Sequence, residues 1–174
     1  MRILSGKYKN RKLKSLANKK VRPTSSSVKK SLFEILKSLD GKDVLDLFSG
    51  IGSLGIESFS RGAKSVTFVE KNREIAKILF GNIITICPDE KYFIIKKDVD
   101  IFLKHHSMKY DIIFADPPYD LISFKDLQHK IYNLLNYGGI FCMEKRCDNE
   151  MYDKDIRIKK YGKTQILIWQ KNKK

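Results

Sequence analysis

The chain has 174 residues, 42% hydrophobic and 11% aromatic, with 35 Lys and Arg against 20 Asp and Glu. That length suits one domain with a self-sufficient core, and the apolar content excludes a disordered tail. No run approaches the roughly 20 apolar residues of a membrane helix, so a soluble globular protein with no membrane partner is expected.

The net charge of +15 is unevenly spread. Residues 1–42 carry 13 basic and 2 acidic side chains, residues 43–150 carry 14 and 16, and residues 151–174 carry 8 and 2. A near-neutral body with basic ends points to a polyanionic partner, nucleic acid before an acidic membrane. Residues 1–42 read as a basic extension, facing nucleic acid, of the single domain whose body is 43–174. Within it Lys7, Lys9, Arg11 and Lys12 are candidates for phosphate contacts.

In the body, short apolar runs alternate with helical patterns. Asp43–Leu47 predicts a strand ending in a glycine-rich turn, and Ser53–Arg61 a helix closed by Gly62. Ser65–Val69 is a second strand, Asn72–Thr85 an amphipathic helix, and Tyr92–Ile95 a third strand. A helix over Val99–His106 leads to a fourth strand at Asp111–Ala115. Phe124–Leu135 predicts a helix and Ile140–Met143 a fifth strand. Ile156–Lys160 and Gln165–Trp169 predict a closing hairpin. Strands alternating with helices imply right-handed βαβ units and a mainly parallel α/β sheet with an antiparallel end. Ligands of such sheets bind beyond the carboxyl ends of the strands.

Cys87, Cys142 and Cys147 lack the spacing of a zinc site, and His105, His106 and His129 stand apart from them. Free thiols in a reducing cytoplasm are expected, with no metal. No secretory h-region is present. With no surplus apolar helix face evident, a monomer is expected.

Two segments carry chemistry. In Asp46-Leu-Phe-Ser-Gly50-Ile-Gly52-Ser-Leu-Gly55 the three glycines fit the dinucleotide fingerprint in a strand–turn–helix setting. Glu70 follows Gly50 by 20 residues, where an acid binds ribose hydroxyls. Asp46 would oppose a pyrophosphate but can accept from an ammonium, which favours S-adenosylmethionine over NAD. Asp98 is placed to accept from an adenine amino group, or to cap the next helix.

The second segment, Asp116-Pro117-Pro118-Tyr119, follows the fourth strand. The residue before a proline is held extended, and the prolines fix their own φ and offer no N–H. The Asp116 carboxylate and Pro117 carbonyl then form a stiff acceptor corner beside the Tyr119 face. Such a corner suits a planar group bearing an amine.

This pairing of glycine loop and Asp-Pro-Pro-Tyr resembles the class I amino-methyltransferases. Arg2-Ile-Leu-Ser-Gly-Lys-Tyr-Lys, Arg22-Pro23-Thr24, Ser31-Leu32-Phe33, Gly55-Ile-Glu57, Ser60-Arg61-Gly62-Ala63, Phe68-Val-Glu70 and Tyr161-Gly162 narrow the resemblance to the RsmD family. It implies a Rossmann-like methyltransferase with a seven-stranded sheet whose last strand is antiparallel. It further implies transfer of a methyl group from S-adenosylmethionine to the N2 amine of a guanine in small-subunit (16S) ribosomal RNA, free or in an assembling 30S particle. Asp46, Gly50 and Gly52 would line the methionine end of the cofactor, Glu70 the ribose, and Asp98 and Val99 the adenine, with Phe48, Ser49 and Lys71 also among the cofactor-binding residues. Asp116 through Tyr119 would hold the target base, with Arg22 and Thr24 at the mouth. Ser26 and Ser27 stand where the family usually has an acid and an arginine. An adenine-N6 methyltransferase would use the same corner, and a non-enzymatic RNA-binding protein would account for the charge alone.

Overall fold

The computed structural model describes residues 1–15, 26–118 and 122–172. Its elements in chain order are α1 (Ser26–Leu36), β1 (Asp43–Leu47), α2 (Ser53–Ser60), β2 (Ser65–Val69), α3 (Arg73–Ile86), β3 (Tyr92–Ile95), α4 (Val99–His105), β4 (Tyr110–Ala115), α5 (Phe124–Ile131), a 3-10 turn (Tyr132–Leu134), β5 (Leu135–Arg146), β6 (Arg157–Tyr161) and β7 (Thr164–Gln170). The strands form one seven-stranded sheet in the order β3-β2-β1-β4-β5-β7-β6. Pairing from β3 through β5 is parallel, and β7 runs antiparallel to both β5 and β6. This is the expected architecture.

Each central strand is apolar on both faces, as a sheet covered twice requires. Val44 and Phe114 join one core with Phe33, Phe59 and Leu79. Leu45 and Ile113 join the other with Phe102, Leu127 and Phe141. Among the described residues no helix is long and apolar enough to cross a membrane.

Three elements depart from the sequence reading. Helix α5 ends at Ile131 and β5 already begins at Leu135, so the helix predicted to Leu135 is too long. The stop is tertiary: the Lys171 Nζ donates to the Tyr132 and Leu135 carbonyls at 2.6 and 2.9 Å. Strand β5 consequently runs over 12 residues rather than four. Helix α1, not anticipated, buries Val28, Lys29, Leu32, Phe33 and Leu36 along one stripe.

The N-terminal arm folds back on the body. Ile3, Tyr8 and Leu13 are buried in the core that α1 and α2 share. Glu57, fully buried on α2, anchors it. Its carboxylate accepts from the Leu4 and Ser5 amides at 2.8 and 3.1 Å, from Lys29 Nζ at 3.2 Å and from Arg61 Nε at 2.9 Å. Burial pulls the Lys29 ammonium below its ordinary pKa, while the Glu57 charge opposes that loss. A buried carboxylate needs such complete satisfaction to be tolerated.

Candidate active site

The carboxyl ends of β3, β2, β1 and β4 stop in one register row, which continues to Met143 within β5 before that strand runs on to Arg146. Ile95 pairs with Val69, Val69 with Leu47, Leu47 with Ala115 and Ala115 with Met143. The residues immediately beyond that row include Glu70, Phe48 and Asp116. Sequence positions 48, 70 and 116 are thus brought together by topology alone, where parallel sheets hold their ligands.

The glycine turn is built from unusual backbone. Phe48, Gly50 and Gly52 have φ of 58°, 55° and 87°, and a left-handed phenylalanine is a strained feature that functional loops tolerate. Gly55 answers a different need: a Cβ there would lie 2.1 Å from Phe68 Cε1, so its absence lets α2 sit against β2. The Ser49 hydroxyl donates to the Asp46 carbonyl at 2.5 Å and accepts from the Val69 amide at 2.9 Å. Ser49 therefore braces the turn against β2 with its side chain. Beyond the turn, the Ser53 hydroxyl is the buried side-chain polar atom without a hydrogen-bond partner among the described residues. A buried orphan of this kind at a glycine turn suits a polar ligand group.

Asp46 is 2% exposed, and its carboxylate accepts the Gly55 amide at 3.0 Å. Burial pushes its pKa up to about 8; the Gly55 bond opposes this, and the charges of Asp116 and Glu70 add to it. Glu70 accepts from the Gly50 amide at 3.0 Å and from the Asn72 amide at 2.7 Å. Asp98 caps α4 by accepting the Asp100 amide at 2.9 Å, and Lys71 Nζ stands 3.6 Å from its other oxygen. Capping and ligand binding are compatible here, because the cap uses one carboxylate oxygen. Val99 is buried at the start of the same helix.

Asp116 is half-buried, Pro117 buried and Pro118 exposed. Asp116 follows Ala115, the register partner of Leu47, and so stands beside Phe48 at the start of the glycine turn, where its charge adds to the rise at Asp46. Tyr119, Arg22 and Thr24 lie outside the described residues, while Ser26 and Ser27 open α1. Of the arm's cations, Lys7 pairs with Glu90 at 3.1 Å and Arg11 donates to the Thr85 carbonyl at 3.2 Å. Lys9 and Lys12 are exposed. The three cysteines are free, Cys87 and Cys142 being buried. Among the described residues no group of three or more His, Cys, Asp or Glu is arranged to hold a metal ion.

Two residues escaped the sequence reading. Asn82, 1% exposed on α3, accepts the Lys14 amide at 2.8 Å and donates to the Ile51 carbonyl at 3.0 Å, tying the arm to the glycine turn. Glu144 follows Met143 and so occupies the row of Asp116. An acid ending an apolar run, as Glu70 does, was its only signal.

Residues 1–170 match the family described as conserved hypothetical protein 95. The Bacillus subtilis protein named "Putative rRNA methyltransferase YlbH" is 33% identical over 183 residues, covering 98% of this chain and 99% of that protein. The ribosomal RNA small subunit methyltransferase D of Haemophilus influenzae is 37% identical over 123 residues, 68% of this chain and 64% of that protein. The solved structure of Escherichia coli yhhF superposes with a TM-score of 0.88 at 24% identity, covering 100% of this chain and 99% of that one.

Proposed function

The chain belongs to the conserved hypothetical protein 95 family, whose methyl donor is S-adenosylmethionine, and on that premise we propose that it methylates the exocyclic N2 amine of a guanine in small-subunit (16S) ribosomal RNA. The observation that carries this reading is the Asp116-Pro117-Pro118 corner, set in register beside the glycine turn and within the electrostatic reach of Asp46. The relatives named for ribosomal RNA methylation and the basic arm support RNA as the substrate.

The residues present suit the cofactor. Glu70 can share its carboxylate with ribose hydroxyls, Asp46 with an ammonium, Asp98 with an adenine amine, and Ser53 has a hydroxyl to offer. When bound, S-adenosylmethionine supplies an electrophilic methyl group. Asp116 and the Pro117 carbonyl orient the target amine, accept its N–H groups and face the positive charge that develops on nitrogen. The surplus proton leaves the nitrogen after transfer, so the corner needs no dedicated base. A base must be splayed from its loop to enter such a corner, which the arm's cations favour by holding the flanking phosphates.

Purified protein, tritiated S-adenosylmethionine and small-subunit RNA, free and in particles, test the reading. Nuclease digestion should release labelled N2-methylguanosine. Label in N6-methyladenosine, or none, would refute it.

A further inference from the structure

We propose that Glu144 reads the target base, accepting from the N1–H of guanine and thereby excluding purines that lack that proton. The inference rests on the guanine-N2 reading above and adds to it the residue that chooses the base.

Register fixes the position. Ala115 pairs with Met143 at the end of the parallel β4–β5 ladder, so the next residues, Asp116 just past β4 and Glu144 still within β5, lie side by side. Adjacent strands lie about 4.8 Å apart, the scale on which two carboxylates reach neighbouring N–H groups of one base. Alternation fixes the face. Cys142 belongs to the same core as Phe114, whereas Met143 and Ala115 belong to the other. Glu144 therefore projects with Cys142, and its partner on β7, Ile166, lies in that same core. Asp116 projects with Phe114, whose register mate is Asp46, and its charge is felt at Asp46. Asp46, Asp116 and Glu144 thus share one face of three successive strands. Lys145 takes the opposite face and is held by Asp148 at 2.6 Å and Glu150 at 3.0 Å.

The chemistry follows from that placement. Guanine presents two neighbouring donors, N1–H and the 2-amino group, on the edge that a splayed base offers to protein. Asp116 orients the amine; a second carboxylate one strand away suits N1–H. Adenine presents a lone pair at N1. Set against Glu144, that lone pair leaves two acceptors opposed and dry, the kind of mismatch that discriminates most strongly between substrates.

The test uses an RNA fragment that the protein methylates, carrying at the target position either guanine or 2,6-diaminopurine. Both have the 2-amino group, and only guanine has N1–H. The wild type should favour guanine in kcat/KM by at least ~10²-fold. Glu144→Gln, whose amide can donate to N1 of diaminopurine, should bring that ratio to about one or invert it, with cofactor affinity unchanged by calorimetry. An unchanged ratio in the variant overturns the role of Glu144. Equal use of both bases by the wild type overturns it as well, even if the variant does not fold. A wild type that labels adenine, or no base at all, defeats the guanine reading itself.

Discussion

The Gly50 amide donates to the Glu70 carboxylate at 3.0 Å, latching the turn after β1 to the end of β2. The latch forms across 20 residues of sequence and leaves Glu70 further lone pairs for two hydroxyls. Glu70→Ala should weaken S-adenosylmethionine binding by about 1.5–3 kcal/mol, the range for hydrogen bonds to a charged group. RNA affinity should persist. Wild-type cofactor affinity by calorimetry would remove Glu70 from the site.

Glu57 and Lys29 are not equivalent halves of a pair. Removing Glu57 strands a buried ammonium and two backbone amides; removing Lys29 leaves Glu57 with Arg61 and both amides. Glu57→Ala should therefore cost about 3–5 kcal/mol of folding stability, and Lys29→Met clearly less. Urea denaturation of the two variants checks the order, and equal losses would contradict it.

Asp46 should imprint itself on the pH dependence of stability. Unfolded, its carboxyl ionises near the ordinary aspartate value of 3.8; folded, burial holds the proton up to about 8. The folded chain thus carries an extra proton across that window, and stability falls as pH rises through it. Asp46→Asn should flatten this decline between pH 5 and 8. Parallel profiles for wild type and variant in urea melts would show that Asp46 is already ionised in the fold.

The legible parts of the sequence were those set by local pattern. Apolar runs between helical stretches sufficed for the βαβ order, and the three glycines of the loop sufficed for its turn. What was hidden depends on distant partners. Leu127, Ile131, Leu134 and Leu135 continue a helical spacing, and only Lys171, 36 residues beyond Leu135, ends the helix early. Lys29 is indistinguishable in sequence from the other cations of residues 1–42, and only the fold brings Glu57 of α2 to 3.2 Å from it. Glu144 acquires meaning through a parallel crossover that pairs Met143 with Ala115, and no motif announces it. Glu70 is legible because its 20-residue spacing from Gly50 is part of the glycine-loop pattern, whereas Asn82 and Glu144 meet their neighbours with no such spacing to mark them.

The arm's cations should divide by their present engagements. Lys9 and Lys12 are exposed, whereas Lys7 is bound to Glu90 and Arg11 to the Thr85 carbonyl. Neutralising Lys9 and Lys12 together should reduce the salt slope of RNA binding by about 1.4, at about 0.7 per single-strand phosphate contact. Neutralising Lys7 and Arg11 should change it less. Filter binding at several salt concentrations measures both, and an unaltered slope in the first variant would turn that surface away from RNA.

Asp116→Ala tests the acceptor corner most directly. Pro117 and Pro118 still fix the backbone, and Glu70, Gly50 and Gly55 keep their bonds, so the variant should fold and bind S-adenosylmethionine. Loss of a negative neighbour should also ease Asp46 back toward the ordinary carboxylate range, because the Asp116 charge is among the causes of its raised pKa. The pH profile of stability should shift accordingly, which checks that the Asp116 charge lies near Asp46. RNA should still bind through the arm. Single-turnover methyl transfer should fall by about 10²-fold or more, the weight of one fixed electrostatic partner aimed at developing charge. Asp116→Asn retains an acceptor oxygen without the charge and should fall between the two. Near-normal transfer by Asp116→Ala at saturating RNA would leave Asp116 a turn residue and return the orientation of the amine to the Pro117 carbonyl alone.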